Sequence, residues 1–287
     1  MPHPNQQTIP VDYLTTPAFL TGNVFERQGC PIHYWAGGSP KGPALVCLHG
    51  ALMDHRMFNA QIPYLVDDYR VLVWDARGHG RSQPIGLDRP LISDYVADLL
   101  ALLDHAGVTK AILIAQSMSA YIAQHLLRLH PERVRALVLI GSTPISFRLT
   151  PLEYYALQYS VPLLGIWPYQ SLKPYMARNT ALQQDVYQYA LSAMHQVNRP
   201  TFLKIWSAVS SAVRIPGYPE FKIEVPFLLT HGDGDRTGTI RRDGPRWAAS
   251  DPHLEYVVIP QAGHNANQDN PDFFNRILLD FLRRLPT

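Results

Sequence analysis

From about residue 44 onward, short apolar runs alternate with helix-like stretches, and that rhythm restricts the chain to few architectures. The runs are Ala44–Leu48, Val71–Trp74, Ala111–Ala115, Ala136–Ile140, Pro226–Thr230 and Leu254–Ile259. Runs that are apolar on both faces are what a sheet covered on both sides requires. Helix-like segments lie between most of them: Phe58–Val66, Ser93–Ala106, Ser119–His130 and Gly244–Ser250. Pro271–Leu285 closes the chain. The pattern predicts an α/β fold with a mostly parallel central sheet flanked by helices. Ahead of it, Phe19–Tyr34 reads as an antiparallel hairpin at the sheet edge.

The rhythm breaks between Ile145 and Glu220. A gap of roughly 75 residues between two strands is far longer than an ordinary connection. It is rich in Tyr, Pro and Leu, and it reads as helical over Pro151–Ser160, Ser171–Arg178, Ala181–Gln196 and Arg199–Val213. Two readings are open. Residues 145–220 form a helical cap inserted into a core of residues 1–144 and 221–287, or these helices pack on the core as structural layers. The cap is the expectation.

Composition narrows the partners. The chain has 287 residues, is 46% hydrophobic and 17% charged, and carries a formal charge of +2. No Lys/Arg-rich block stands out, so nucleic acid is not an expected partner. No apolar stretch approaches the length of a membrane span. Met1–Gln7 lacks the basic and apolar regions of a secretory signal. With Cys30 and Cys47 as the two cysteines, a reduced cytoplasmic protein is expected, a monomer or homodimer.

The chemistry concentrates around one serine. Ala115-Gln116-Ser117-Met118-Ser119-Ala120 joins the apolar run Ala111–Ile114 to the helix-like run Tyr121–Leu127. A serine with small residues at −2 and +2, between strand and helix, has the layout of a nucleophile elbow. Ala115 and Ser119 stand where G-x-S-x-G has glycines, and both are small. The plainer reading is a strand-to-helix turn with a capping serine.

A nucleophilic serine needs a base and an orienting acid. In parallel sheets such groups sit at the carboxyl ends of strands. His264 follows the last strand, whereas His253 precedes it. His231 ends the strand before. His105, His125 and His130 fall on helical surfaces, where solvated or capping roles are expected. The acid should come from Thr230–Arg236, where Asp235 and Asp233 compete. Asp235 lies deeper in the loop and is favoured. An oxyanion hole needs two N–H donors. Met118 would give one, and the loop Leu48-His49-Gly50-Ala51-Leu52 the other, through Ala51. His49 reads as a brace for that loop rather than a catalytic group.

These blocks resemble the α/β-hydrolase family. His49-Gly50-Ala51, Trp74-Asp75-Ala76-Arg77-Gly78-His79-Gly80-Arg81-Ser82, the Ser117 elbow, Gly232-Asp233-Gly234-Asp235 and Gly263-His264 stand in the family's order. The Asp75–Ser82 run is specific to its branch of esterases, lipases, lactonases and C–C hydrolases. The resemblance implies a Ser117–Asp235–His264 triad with backbone donors at Ala51 and Met118.

The expected function is therefore a cofactor-free, metal-free serine hydrolase that cleaves a small-molecule ester or lactone. A C–C bond hydrolase or perhydrolase on the same triad is the rival within the class. A ligand receptor without turnover is the rival outside it. The aromatic residues of the insertion suggest an apolar or aromatic substrate, with Leu52, Tyr155, Tyr159, Trp167 and Trp206 as candidate pocket residues.

Overall fold

The computed structural model describes residues 11–147, 149–213, 218–219, 223–251 and 253–286. Eight strands form one sheet: β1 (Thr21–Arg27), β2 (Cys30–Gly38), β3 (Ala44–Leu48), β4 (Arg70–Trp74), β5 (Ala111–Gln116), β6 (Val134–Ile140), β7 (Phe227–Gly232) and β8 (Leu254–Ile259). Their order in space is β1-β2-β4-β3-β5-β6-β7-β8. β1 and β2 pair antiparallel, β2 meets β4 antiparallel, and all later pairings are parallel. The expected edge hairpin is present, running to Gly38.

The central strands explain their composition. Every residue of β5 and β7 is buried, so neither face can carry a polar row. At the far edge, β8 is half exposed and admits Glu255. The covering helices are α1 (Ile92–His105), α2 (Met118–Leu129), α7 (Ile240–Ser250), the single turn α8 (Ala266–Asp269) and α9 (Pro271–Arg283). Between β6 and β7 lie α3 (Pro151–Ile166), α4 (Tyr169–Thr180), α5 (Gln184–His195) and α6 (Arg199–Ser210). All four sit within the stretch expected to be helical; α3 runs on past its expected end at Ser160 to Ile166, while the other three lie close to their predicted bounds. No helix among the described residues is long and apolar enough to cross a membrane.

One predicted helix is absent. Phe58–Val66 forms no α-helix; the segment holds 3₁₀ turns at His55–Phe58 and Ile62–Tyr64. Most of its backbone bonds run from i to i+3, as in Asn59 N–H to Arg56 O at 3.1 Å and Gln61 N–H to Phe58 O at 2.8 Å; Val66 N–H to Ile62 O spans four. Pro63 lacks the N–H that a continuous ladder would need there. His125 also departs from expectation. It is buried, its Nε2 lies 3.3 Å from Ala212 O, and its ring meets Tyr218 edge-on.

The Asp75–Ser82 run folds into a clasp at the end of β4. Asp75 Oδ1 accepts from the backbone N–H of His55 and lies 2.8 Å from His55 Nδ1, while its Oδ2 accepts from Arg81 N–H. Arg77 grips the buried Asp98 with two bonds of 2.7 Å. Gly80 has φ +46°, and a Cβ there would lie 2.2 Å from Asp75 Oδ2. The most family-specific motif of the chain therefore builds architecture rather than lining the candidate site.

Candidate active site

Ser117 sits between β5 and α2 at φ 52° and ψ −113°. A β-carbon is crowded on that side of backbone space, so the conformation persists only where the surroundings impose it. They do so here. Ser117 N–H donates to Ile140 O at 2.9 Å, tying the elbow to β6. The Ser117 side chain caps nothing in α2, which removes the capping-serine reading. Ser119, which stands where G-x-S-x-G has its second glycine, has a use: its hydroxyl donates to His49 O.

The loop after β3 presses on this elbow. A Cβ on Gly50 would fall 1.8 Å from Gln116 Oε1 and 3.2 Å from Ser117 Cβ. Glycine thus lets the backbone carrying Ala51 lie against the serine. Ala51 and Ser117 line the same cavity. Met118 is the first residue of α2, and a first-turn N–H has no acceptor within its own helix. His49 is fully buried, with Nδ1 2.7 Å from Gly50 O and Nε2 accepting from Ala76 N–H at 3.0 Å. Both ring nitrogens are thereby engaged in shaping the loop.

His264 Nδ1 lies 2.9 Å from Asp235 Oδ2. Both side chains are buried, and Asp235 Oδ1 also accepts from Thr237 N–H at 2.8 Å. Burial alone would push the Asp235 carboxyl up. The His264 ring and the Thr237 amide outweigh it and hold the group below the usual carboxylate range. A carboxylate fixed on Nδ1 orients the imidazole. Gly141 makes room for that ring: with φ +60°, its Cβ would lie 3.0 Å from His264 Nδ1 and Cε1. Gly141 directly follows Ile140, the residue that anchors Ser117, so one strand end holds both sides of the site.

Asp233 has a different task. Its carboxylate accepts from Gln261 N–H at 3.0 Å and Ala262 N–H at 3.2 Å. The Gln261 amide, foremost, lowers its pKa. It thus shapes the turn that leads into His264, where Gln261 itself has φ +55°.

Two residues that sequence reasoning passed over complete the frame. Gln116 Nε2 donates to His264 O at 3.1 Å, so the residue before the serine also touches the histidine loop. A polar side chain ending the apolar β5 was its one signal. Asp269 accepts from Gly263 N–H at 2.7 Å and from Leu182 and Gln183 N–H at 3.0 Å. Burial raises its pKa despite these three donors. Nothing in its sequence neighbourhood marks that position.

A cavity of about 460 Å³ opens onto Ser117. Its described lining is mostly apolar, with Leu149, Leu157, Trp206, Val209 and Ile240, and Glu153 is its one charged residue. Trp206 turns its Nε1–H away to Ser160 Oγ at 2.8 Å. Of the candidate pocket residues, Trp206 alone is among that lining. Leu52, at φ +65°, is 2% exposed and buried in the core. Tyr155 and Tyr159 project to solvent from α3, and Trp167 stacks on Tyr175 at 5.5 Å.

Known proteins share this architecture. Residues 45–277 match the alpha/beta hydrolase family, and the chain belongs to it. It is 27% identical to a non-heme chloroperoxidase, CPO-A1, of Kitasatospora aureofaciens, over 90% of this chain and 98% of that one. It is 26% identical to a 2-hydroxy-6-oxononadienedioate/2-hydroxy-6-oxononatrienedioate hydrolase of Comamonas testosteroni, over 93% and 96% of the two chains. Among solved structures, a hydrolase from Pseudomonas aeruginosa PA01 superposes with a TM-score of 0.78 at 24% identity, covering 93% of this chain and 99% of that one.

Proposed function

We propose that this protein is a serine hydrolase of neutral, apolar carboxylic esters or lactones. The observation that carries the reading is the arrangement at the carboxyl end of the sheet: a strained serine elbow after β5, and a buried His264–Asp235 pair from the loops after β7 and β8. Ser117 attacks the carbonyl, and His264 Nε2 takes its proton and passes it to the leaving alcohol. Asp235 holds the tautomer and stabilises the imidazolium. Ala51 and Met118 N–H groups receive the oxyanion. Water, activated by His264, then releases the acyl group. The helices α3–α6 act as a cap whose α3 and α6 wall the acyl cavity.

The lining separates this reading from its rival. The Comamonas testosteroni relative is named for a dicarboxylate. The described lining here offers no cation, and its one carboxylate, Glu153, is already paired with Arg242, so an anionic acyl chain would be left unpaired. A series of p-nitrophenyl esters is the test. Esters of neutral four- to eight-carbon or aryl acids are expected to exceed a succinate half-ester at least about thirtyfold in kcat/KM. Trp206→Ala should raise KM for the larger esters. Preference for the anionic ester, or no turnover of any, would overturn the proposal.

The pH profile is a separate prediction. The base works as neutral imidazole, so kcat/KM should rise with pH and then level off. Asp235 adds no limb near neutrality, because its carboxyl is held below the usual range. The stability that its ionised form contributes is present above the ordinary carboxylate range and lost only as pH falls through the lower folded value. A profile that falls between mildly acidic and neutral pH would contradict the assignment.

A further inference from the structure

α3 carries the largest anomaly of the described surface. None of its 16 residues is buried. Leu152, Tyr155, Tyr159, Leu163 and Ile166 are 80%, 54%, 63%, 61% and 80% exposed. Spaced three and four apart, they fall within about 80° of arc at ~100° per residue, a narrow seam rather than a broad face. A seam of that period is the shape that receives another helix. At its end, Trp167 and Tyr175 remain 43% and 57% exposed although they stack on each other. A monomer rarely leaves so continuous an apolar surface in water.

Charge and area select the occupant. A helix lying on a lipid surface carries Lys and Arg along its polar face. The α3 sequence has neither, and its single charge, Glu153, is paired with Arg242. The seam itself is uncharged, so two copies can meet across a two-fold axis without bringing like charges together. At roughly 150–250 Å² for a large side chain, these exposed residues offer on the order of 800 Å², about what each partner contributes to a stable interface. We propose that this face of α3 is a homodimer interface, with the α3 helices of two copies packed antiparallel. Tyr159 lies at the middle of the seam, so the two Tyr159 side chains meet near the axis. Glu153, Ala156 and Leu157 of the same helix line the cavity, so the second copy would buttress that wall. The inference does not depend on the hydrolase reading.

Sedimentation equilibrium tests it, from about 1 to 100 µM chain, where mass action reveals a dimer of ordinary affinity. The wild type is expected to be dimeric. The Leu163→Glu/Ile166→Glu double variant should weaken association at least about hundredfold. Both positions are exposed, and circular dichroism checks that the fold survives. A Tyr159→Cys variant should cross-link to its own copy with a short bis-maleimide, because Cys30 and Cys47 are buried and will not compete. A wild type that stays monomeric, whether or not phosphatidylcholine vesicles capture it, overturns the proposal. So does a dimer that the double variant leaves intact, since it would use another face. Failure of the Tyr159→Cys chains to cross-link overturns the antiparallel arrangement.

Discussion

Ser117→Ala is expected to lower kcat at least about a thousandfold while leaving the fold intact. The hydroxyl makes no hydrogen bond that caps α2, and the elbow is held through the Ser117 amide, which alanine retains. Removing one oxygen therefore removes the nucleophile and little else. The backbone strain at φ 52° is the same in the variant, because alanine keeps the β-carbon that causes it. The measurement is steady-state hydrolysis of p-nitrophenyl butyrate beside a thermal melt. Retention of more than a tenth of wild-type kcat by a folded variant would move the nucleophile elsewhere.

Asp235→Asn and Asp233→Asn form the second comparison, two like changes two residues apart. Asp235→Asn should cost on the order of 10³–10⁴ in kcat, because an amide facing His264 Nδ1 stabilises the wrong tautomer and offers no charge to the imidazolium. Asp233→Asn should cost less than about tenfold. Its carboxylate accepts two backbone N–H groups at the surface and touches no ring. One amide oxygen can keep one of those bonds, so the loss should show mainly as a lower melting temperature. Equal losses in kcat, or the reverse ranking, would mean that the acid has been misassigned.

The strands were legible because burial on both faces leaves short apolar runs too brief for helices and spaced by helix-like stretches: β5 reads Ala111-Ile112-Leu113-Ile114-Ala115 with no polar break before Gln116. That Asp235 and His264 would meet was legible because parallel sheets put their loops of one end together. Depth in the loop also separated Asp235 from Asp233, which the structure places on His264 and on the Gln261 turn respectively. What failed was direction. An aromatic residue in a helix reads the same whether it faces a cavity or water, and Tyr155 and Tyr159 point outward while Trp206 points in. Phe58–Val66 failed for a related reason. Its apolar spacing fits α and 3₁₀ geometry alike, and the i to i+3 bonds around Pro63 decide between them. Asp269 was invisible because its role is long-range, reaching from α8 back to Leu182 and Gln183.

The Asp269 carboxylate has a consequence for anyone who would exchange the helical segment for that of another hydrolase. It joins Leu182 and Gln183, at the start of α5, to Gly263 beside the histidine, while Asn265 N–H donates to Thr180 O at 2.8 Å. The segment is therefore stitched to the reactive loop in its middle, not only at its two ends. A graft cut at residues 145 and 220 would carry away two of the amides that hold this carboxylate. The buried charge would then lose partners next to the ring it steadies. A transplant that keeps residues 180–183 native, and trades only what lies on either side, should preserve turnover while altering the acyl groups accepted. The segment is thus tied to the histidine loop between α4 and α5, an anchor that the order of elements along the chain does not announce.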